Sequence, residues 1–254
     1  MTTSGGTPTS WCGSRGFSSL IGPARRVLEG AIGLFYPPEC VLCGEGLDSL
    51  GVLCPECAAG LPELSEPRCR RCGEALPDPS LDLCLRCGTR ERAVDRFGSL
   101  GPYDGPWGEL VRRLKFDKEI AVGRFLASRM ADWIRERGFG VAFDLVTFVP
   151  MSPRDRRERG FNQAELLARG VARRLRRPVR KTLEKVRVTP PQGRLTARQR
   201  RTNLRDAFGL LRYGGERVLL VDDIGTTGST AEECARALKR GGYPSVVVLT
   251  VARA

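Results

Sequence analysis

The sequence predicts an α/β protein: a mostly parallel, doubly wound sheet flanked by helices, with a small cysteine-rich module in front of it. Three observations carry that expectation. Residues 218–221 and 245–251 are uninterrupted β-branched and aliphatic runs, the pattern of strands buried on both faces. A third run, 144–150, is followed by apolar positions at helical spacing, Leu166, Leu167, Val171 and Leu175, so strands alternate with helices. Eight of the ten cysteines fall in four Cys-x-x-Cys pairs between residues 40 and 87, a density that belongs to a separate module.

At 254 residues the chain has room for one sizeable core and one small extra unit. We divide it into a disordered tail with a short amphipathic helix (1–35), the cysteine module (36–92) and the α/β domain (93–254). The chain contains no histidine, which excludes Ser-His and Cys-His dyads, an imidazole base and any His metal ligand. No stretch of ~18 apolar residues is present, so membrane insertion is not expected. Residues 1–19 lack the charged start and apolar block of a secretion signal, and the expected location is cytoplasmic. Cys12 in this tail has no partner at a metal or redox spacing.

The cysteine pairs are Cys40/Cys43, Cys54/Cys57, Cys69/Cys72 and Cys84/Cys87, with ten residues between the first two pairs and eleven between the last two. A Cys-x-x-Cys turn presents two thiolates together, and two facing turns supply the tetrahedral set of a structural Zn²⁺. Cys-x-x-Cys-Gly recurs at 40–44 and 69–73, so each half looks like a zinc ribbon and the whole like a double one. Disulfides would need an oxidising compartment, and an iron–sulfur ferredoxin usually has uneven spacing and a proline after its last cysteine. We expect two closed Zn²⁺ sites with sequential pairing; spacing alone leaves a cross-braced arrangement open.

Residues 97–103 read as an edge strand. Leu110, Leu114, Ile120, Phe125, Met130, Trp133 and Ile134 then predict two helices with a break near Asp117. Lys115, at the end of the first, reads as a solvated cation favoured by the helix dipole. After the 144–150 strand, arginines cluster at 154–159, where the ligand edge of an open α/β sheet lies. Residues 186–208, rich in Pro, Gly and Arg, read as a long mobile loop.

The richest stretch is 218–230, Val-Leu-Leu-Val-Asp-Asp-Ile-Gly-Thr-Thr-Gly-Ser-Thr. Between a strand and a helix N-terminus, Ile224, Gly225, Thr226, Thr227, Gly228, Ser229 and Thr230 form a phosphate cradle of backbone N–H groups and hydroxyls. Asp222 and Asp223 suit ribose hydroxyls or a hydrated Mg²⁺. An ordinary βα turn with a polar cap is the plainer alternative. A Walker A loop is excluded, because no Gly-Lys-[Ser/Thr] follows.

Residues 151–205 hold eighteen Lys/Arg against four Asp/Glu, a net of +14 in a chain of formal charge +13. That asymmetry points to an anionic partner at the ligand edge, with a solvated basic face as the alternative. Scarce aromatics argue against sequence-specific readout of nucleic acid.

The 218–230 stretch resembles the phosphoribosyl-pyrophosphate (PRPP) motif of type I phosphoribosyltransferases. Together with Pro150, the Arg-Glu-Arg-Gly-Phe-Asn-Gln of 157–163 and the double zinc ribbon, it resembles the ComF family over roughly 36–252. The run after the second strand departs from the family pattern, reading Val-Pro-Met-Ser-Pro-Arg. The resemblance implies a type I phosphoribosyltransferase-like domain in which Asp222 and Asp223 meet the ribose hydroxyls and the 224–230 turn holds the 5′-phosphate. Arg154 and Arg201 would contribute to the pyrophosphate side, and the 186–208 loop would close over it. It implies PRPP with Mg²⁺ as ligand, a process of DNA uptake, single-stranded DNA as a partner and other competence proteins, such as a helicase, as further ones. Two functions compete: a phosphoribosyltransferase with an unknown acceptor, or a non-enzymatic single-stranded-DNA-binding protein that uses PRPP only as a ligand.

Overall fold

The computed structural model describes residues 38–48, 51–139, 143–186 and 207–254. The tail and helix expected within 1–35, Cys12, most of the 186–208 loop and Arg201 lie outside the described residues. Four parallel strands form the main sheet in the order β1-β6-β5-β2: β1 (Arg96–Pro102), β2 (Leu145–Phe148), β5 (Val218–Gly225) and β6 (Val246–Arg253). Strands β3 (Leu183–Lys185) and β4 (Phe208–Leu210) form a separate antiparallel pair at the two ends of the 186–208 segment.

Burial of both faces explains why β5 and β6 lack polar alternation. Leu219, Val221, Val247, Leu249 and Val251 enter one core, with Leu126, Met130, Leu167 and Val171 from α4 (Ile120–Glu136) and α6 (Gln163–Leu175). Val218, Leu220, Val246 and Val248 enter the other, against Cys234, Ala235 and Leu238 of α7 (Ser229–Arg240). Such two-sided covering is what a parallel sheet needs.

The helix break near Asp117 takes a specific form. Helix α3 (Pro106–Arg112) continues into a π-helical turn, Arg113–Asp117, which ends at Lys118 in the left-handed region with φ 58°. Helix α5 (Pro153–Arg159) carries the arginine cluster and begins with Ser152, whose hydroxyl accepts from Asp155 N–H.

Ahead of the sheet, residues 38–88 repeat one backbone unit with short helices α1 (Pro55–Ala59) and α2 (Leu85–Gly88). Cys40 N–H donates to the Glu45 carbonyl at 2.7 Å and Cys69 N–H to Glu74 at 2.8 Å; Gly44 and Gly73 N–H close matching turns on Cys40 and Cys69. Trp107 Nε1 donates to the Pro62 carbonyl at 2.7 Å, pinning the link between the two units to α3.

Candidate functional site

Strand β5 runs further than its apolar portion foretold. Rather than ending at the acids, it continues through them to Gly225, with Asp222 opposite Thr250 and Ile224 opposite Ala252. Strand alternation therefore sends the two carboxyl groups to opposite faces. Asp222 lines a recess with Phe97, Ile224, Gly225, Thr226, Gly228, Thr230, Ala231 and Thr250. Asp223 turns to the other side and pairs with Lys115 Nζ at 2.9 Å, both side chains less than a fifth exposed. Lys115 is thus no solvated helix-end cation; the π-helical turn that carries it delivers it to the acid pair.

The loop is built by close approach. A Cβ at Gly225 would lie 2.5 Å from Phe97 Cζ, so no side chain fits there. Gly228 adopts φ 72° and stands at the N-cap of α7. Thr227 and Ser229 hydroxyls share a hydrogen bond of 2.7 Å. Behind the loop, Arg92 Nε stands 3.0 Å from Glu232 Oε2, and Glu232 Oε1 accepts from Ala93 N–H at 2.9 Å. The sequence had not marked Arg92; its signal is its place just before the first sheet strand.

Burial and the charge of Asp223 push Asp222 up to about 8, although the Asp223 N–H it accepts and Lys115 both pull the other way. Burial in the free protein therefore favours the neutral form of Asp222. A pair of carboxylates in which one is driven toward its neutral form is a donor set that a cation relieves.

A second recess opens at the carboxyl end of β2, lined by Phe148, Pro150, Met151, Pro153, Arg156, Asn162, Lys181, Glu184 and Lys185. Arg156, not Arg154, reaches it. Arg154 is exposed on α5 and forms no hydrogen bond or ion pair among the described residues.

The cysteines assemble as two sequential sets, Cys40/Cys43/Cys54/Cys57 and Cys69/Cys72/Cys84/Cys87, each with its sulfurs within 4.8 Å of one another. Cross-bracing is therefore excluded. Cys43 and Cys54 Sγ are 3.7 Å apart, as are Cys72 and Cys84, close to the ~3.8 Å edge of a tetrahedron with Zn–S bonds of ~2.3 Å. Burial alone would raise the Cys40 and Cys69 thiols, but neighbouring backbone N–H groups outweigh it and bring them down to about 6 and about 7. The donor sets are those of two structural zinc sites. Among the described residues, no helix is long and apolar enough to cross a membrane.

Paired Cys₄ clusters ahead of a parallel sheet whose acid pair runs into a Gly/Thr/Ser loop define an α/β chain with a double zinc ribbon. Residues 31–90 match the double zinc ribbon domain model. The chain is 34% identical over 221 residues to the DNA utilization protein YhgH of Salmonella typhi, covering 84% of this chain and 89% of that one. It is 33% identical over 173 residues to competence protein F of Haemophilus influenzae, covering 65% and 76%. It belongs to the ComF/YhgH family. Among solved structures, a purine phosphoribosyltransferase from Pyrococcus horikoshii overlaps 52% of this chain and 83% of its own, with 15% identity and a TM-score of 0.34.

Proposed function

We propose that the 222–230 segment binds PRPP and that the chain serves DNA uptake and utilisation as a PRPP-dependent phosphoribosyltransferase. The observation that supports this most is the recess at the carboxyl edge of β5, where Asp222 meets Ile224, Gly225, Thr226, Gly228 and Thr230 at the N-terminus of a twelve-residue helix. In this reading Gly225, Thr226, Thr227, Gly228, Ser229 and Thr230 hold the 5′-phosphate through N–H groups and hydroxyls. Asp222 and Asp223, one on each face of the strand end, take the ribose hydroxyls. An acceptor's lone pair forms a bond to C1 while the C1–O bond breaks and its electrons leave with pyrophosphate; the acids stabilise the positive charge at C1. Asp222 and Asp223 suit a Mg²⁺ brought in with the diphosphate, which would neutralise charge on the leaving group. Arg156, Lys181 and Lys185 supply fixed positive charge at the neighbouring β2 edge.

Calorimetry with PRPP and Mg²⁺ tests the site. Asp222→Asn and Asp223→Asn should each weaken binding by tenfold or more, as loss of a charged acceptor at ~1.5–3 kcal/mol requires; unchanged affinity in both would falsify it. Pyrophosphate release across a panel of nucleobases then tests transfer.

A second reading, single-stranded DNA binding with PRPP only as a ligand, is favoured by Arg154, Arg157, Arg173, Arg174, Arg176 and Arg177. All six are exposed and without an ion-pair partner among the described residues. Log affinity for DNA should then fall with log salt by ~0.7 per phosphate contacted. Reversing the charges of Arg173, Arg174, Arg176 and Arg177 should flatten that slope and spare PRPP binding.

A further inference from the structure

A cleft of about 200 Å³ lies where the link between the two ribbon units and the second unit itself meet the outer edge of β1. Its walls carry four arginines, Arg68, Arg70, Arg96 and Arg137, against two acids, Glu63 and Glu66. Both acids are already engaged by Arg137, at 2.6 and 3.7 Å. Arg68 and Arg96 are half-buried, and among the described residues neither has a carboxylate partner. Arg68 Nη1 donates to the Gly73 carbonyl at 2.8 Å, but its Nε is buried with no partner. Arg96 has its guanidinium carbon 4.0 Å from the centre of the Phe139 ring and no other contact of this kind. Ser99, 5% exposed, also lines the cleft, but strand alternation turns its buried, unpartnered hydroxyl to the face of β1 opposite Arg96.

Each of these features is costly by itself. A desolvated cation without a counter-charge is disfavoured, and a buried donor without an acceptor loses its full solvation. Burial alone holds the Arg96 guanidinium below its ordinary range. Their convergence on one cleft is explained by an anion with several acceptor oxygens. The walls add aromatic surface: Trp133 and Phe139 pack edge to face with centroids 4.8 Å apart, and the Arg96 guanidinium lies over the Phe139 ring. A guanidinium stacked on one ring offers its other face to a base.

We propose that this seam is a second ligand site, distinct from the β5 loop, that takes a nucleoside monophosphate. Arg68 and Arg96 hold the phosphate, and the base stacks on Arg96 beside Trp133. The nucleotide comes either free or as one residue of a DNA strand, since both present the same chemistry. Phe97 forms a wall of this cleft and of the loop recess, so the two sites share one side chain.

The test uses the full, zinc-loaded chain at ~0.15 M salt, where loose surface attraction is screened. Binding of dAMP, inorganic phosphate and an oligo-dT strand is followed by calorimetry in the wild type and in Arg96→Gln, Arg68→Gln and Asp222→Asn. We expect dAMP to compete with phosphate for one site, bind it more tightly, and lose tenfold or more in Arg96→Gln while keeping its affinity in Asp222→Asn. Arg96→Lys should retain phosphate and lose the preference for dAMP, because the charge stays and the plane goes; this variant also guards against a folding defect in Arg96→Gln. If oligo-dT weakens in parallel with dAMP, the strand is the source; if only dAMP responds, the free nucleotide is. Unaltered dAMP and phosphate binding in both Arg96→Gln and Arg68→Gln would overturn the site. Loss of dAMP binding in Asp222→Asn alone would overturn it too, by assigning that binding to the loop.

Discussion

The two ribbon units share a backbone and differ in what they lean on. In the first, Val41, Leu42, Val52 and Leu53 pack against the larger core. In the second, Leu76 and Leu83 close a small core of their own around Cys69, Cys72 and Cys87. The second unit also reaches the ligand end of the sheet. Phe97 N–H donates to the Arg70 carbonyl at 2.7 Å. A Cβ at Gly73 would come within 2.7 Å of the Phe97 ring, the same ring that fills the space over Gly225. Arg253 Nη1 donates to the Gly225 carbonyl at 3.0 Å, and its Nη2 lies 3.5 Å from Glu74 of the second unit. One fold unit, used twice, therefore holds the module to the domain in its first copy and buttresses the loop in its second. The difference lies in neighbours, not in the metal-binding pattern.

Breaking the metal sites one at a time should expose this asymmetry most strongly. Each cluster's folding depends on its metal, whose binding is worth ~10–16 kcal/mol in isolated zinc-finger peptides. Cys40→Ser and Cys69→Ser should each reduce the zinc content from two to one by elemental analysis. Ligand affinity at the β5 loop should fall tenfold or more in Cys69→Ser and stay within about twofold in Cys40→Ser; equal losses would erase the distinction.

Lys115→Met should come next. Removing one partner of a buried ion pair costs about 3–5 kcal/mol, and here Asp223 would be left without its cation. Chemical denaturation should show a loss of that order, with the zinc content intact. A loss under ~1 kcal/mol would return Lys115 to the status of a surface cation.

Asp222 gives a pH-dependent effect. Its folded value of about 8 lies above the unfolded carboxylate range near ~4. A raised carboxyl favours the fold fully below the unfolded value and loses that contribution as pH rises from ~4 through ~8. Asp222→Asn should therefore stabilise the free protein at pH 8 relative to the wild type, with little gain near pH 4. The Asn Oδ1 can still accept the Asp223 N–H. A melting-temperature difference that does not change with pH would contradict the shift.

Smallest is Arg253→Gln. It keeps a donor near the Gly225 carbonyl but drops the charge facing Glu74, so loop-ligand affinity should fall only a few-fold. Combined with Cys69→Ser it should add little, because both act on the same contact.

The sequence by itself determined the elements whose causes are local. Cys-x-x-Cys spacing specifies turns that present paired thiols, and four such turns in order specify two quartets. Unbroken β-branched runs specify strands buried on both faces, and 225–230 specifies a loop leading into a helix. The sequential pairing of cysteines, by contrast, awaited the packing of each turn against the next. Only the tertiary structure decided that Asp222 and Asp223 part to opposite faces, because a strand's continuation past its apolar run depends on the partner it pairs with, here Thr250 and Ala252 of β6. Lys115 looked like any helix-end cation because its partner lies more than a hundred residues away, across a π-helical turn that periodicity does not reveal. The seam around Arg68 and Arg96 was equally hidden. Its residues come from the ribbon, an edge strand and the end of a helix, and no local pattern records that folding brings them to one cleft.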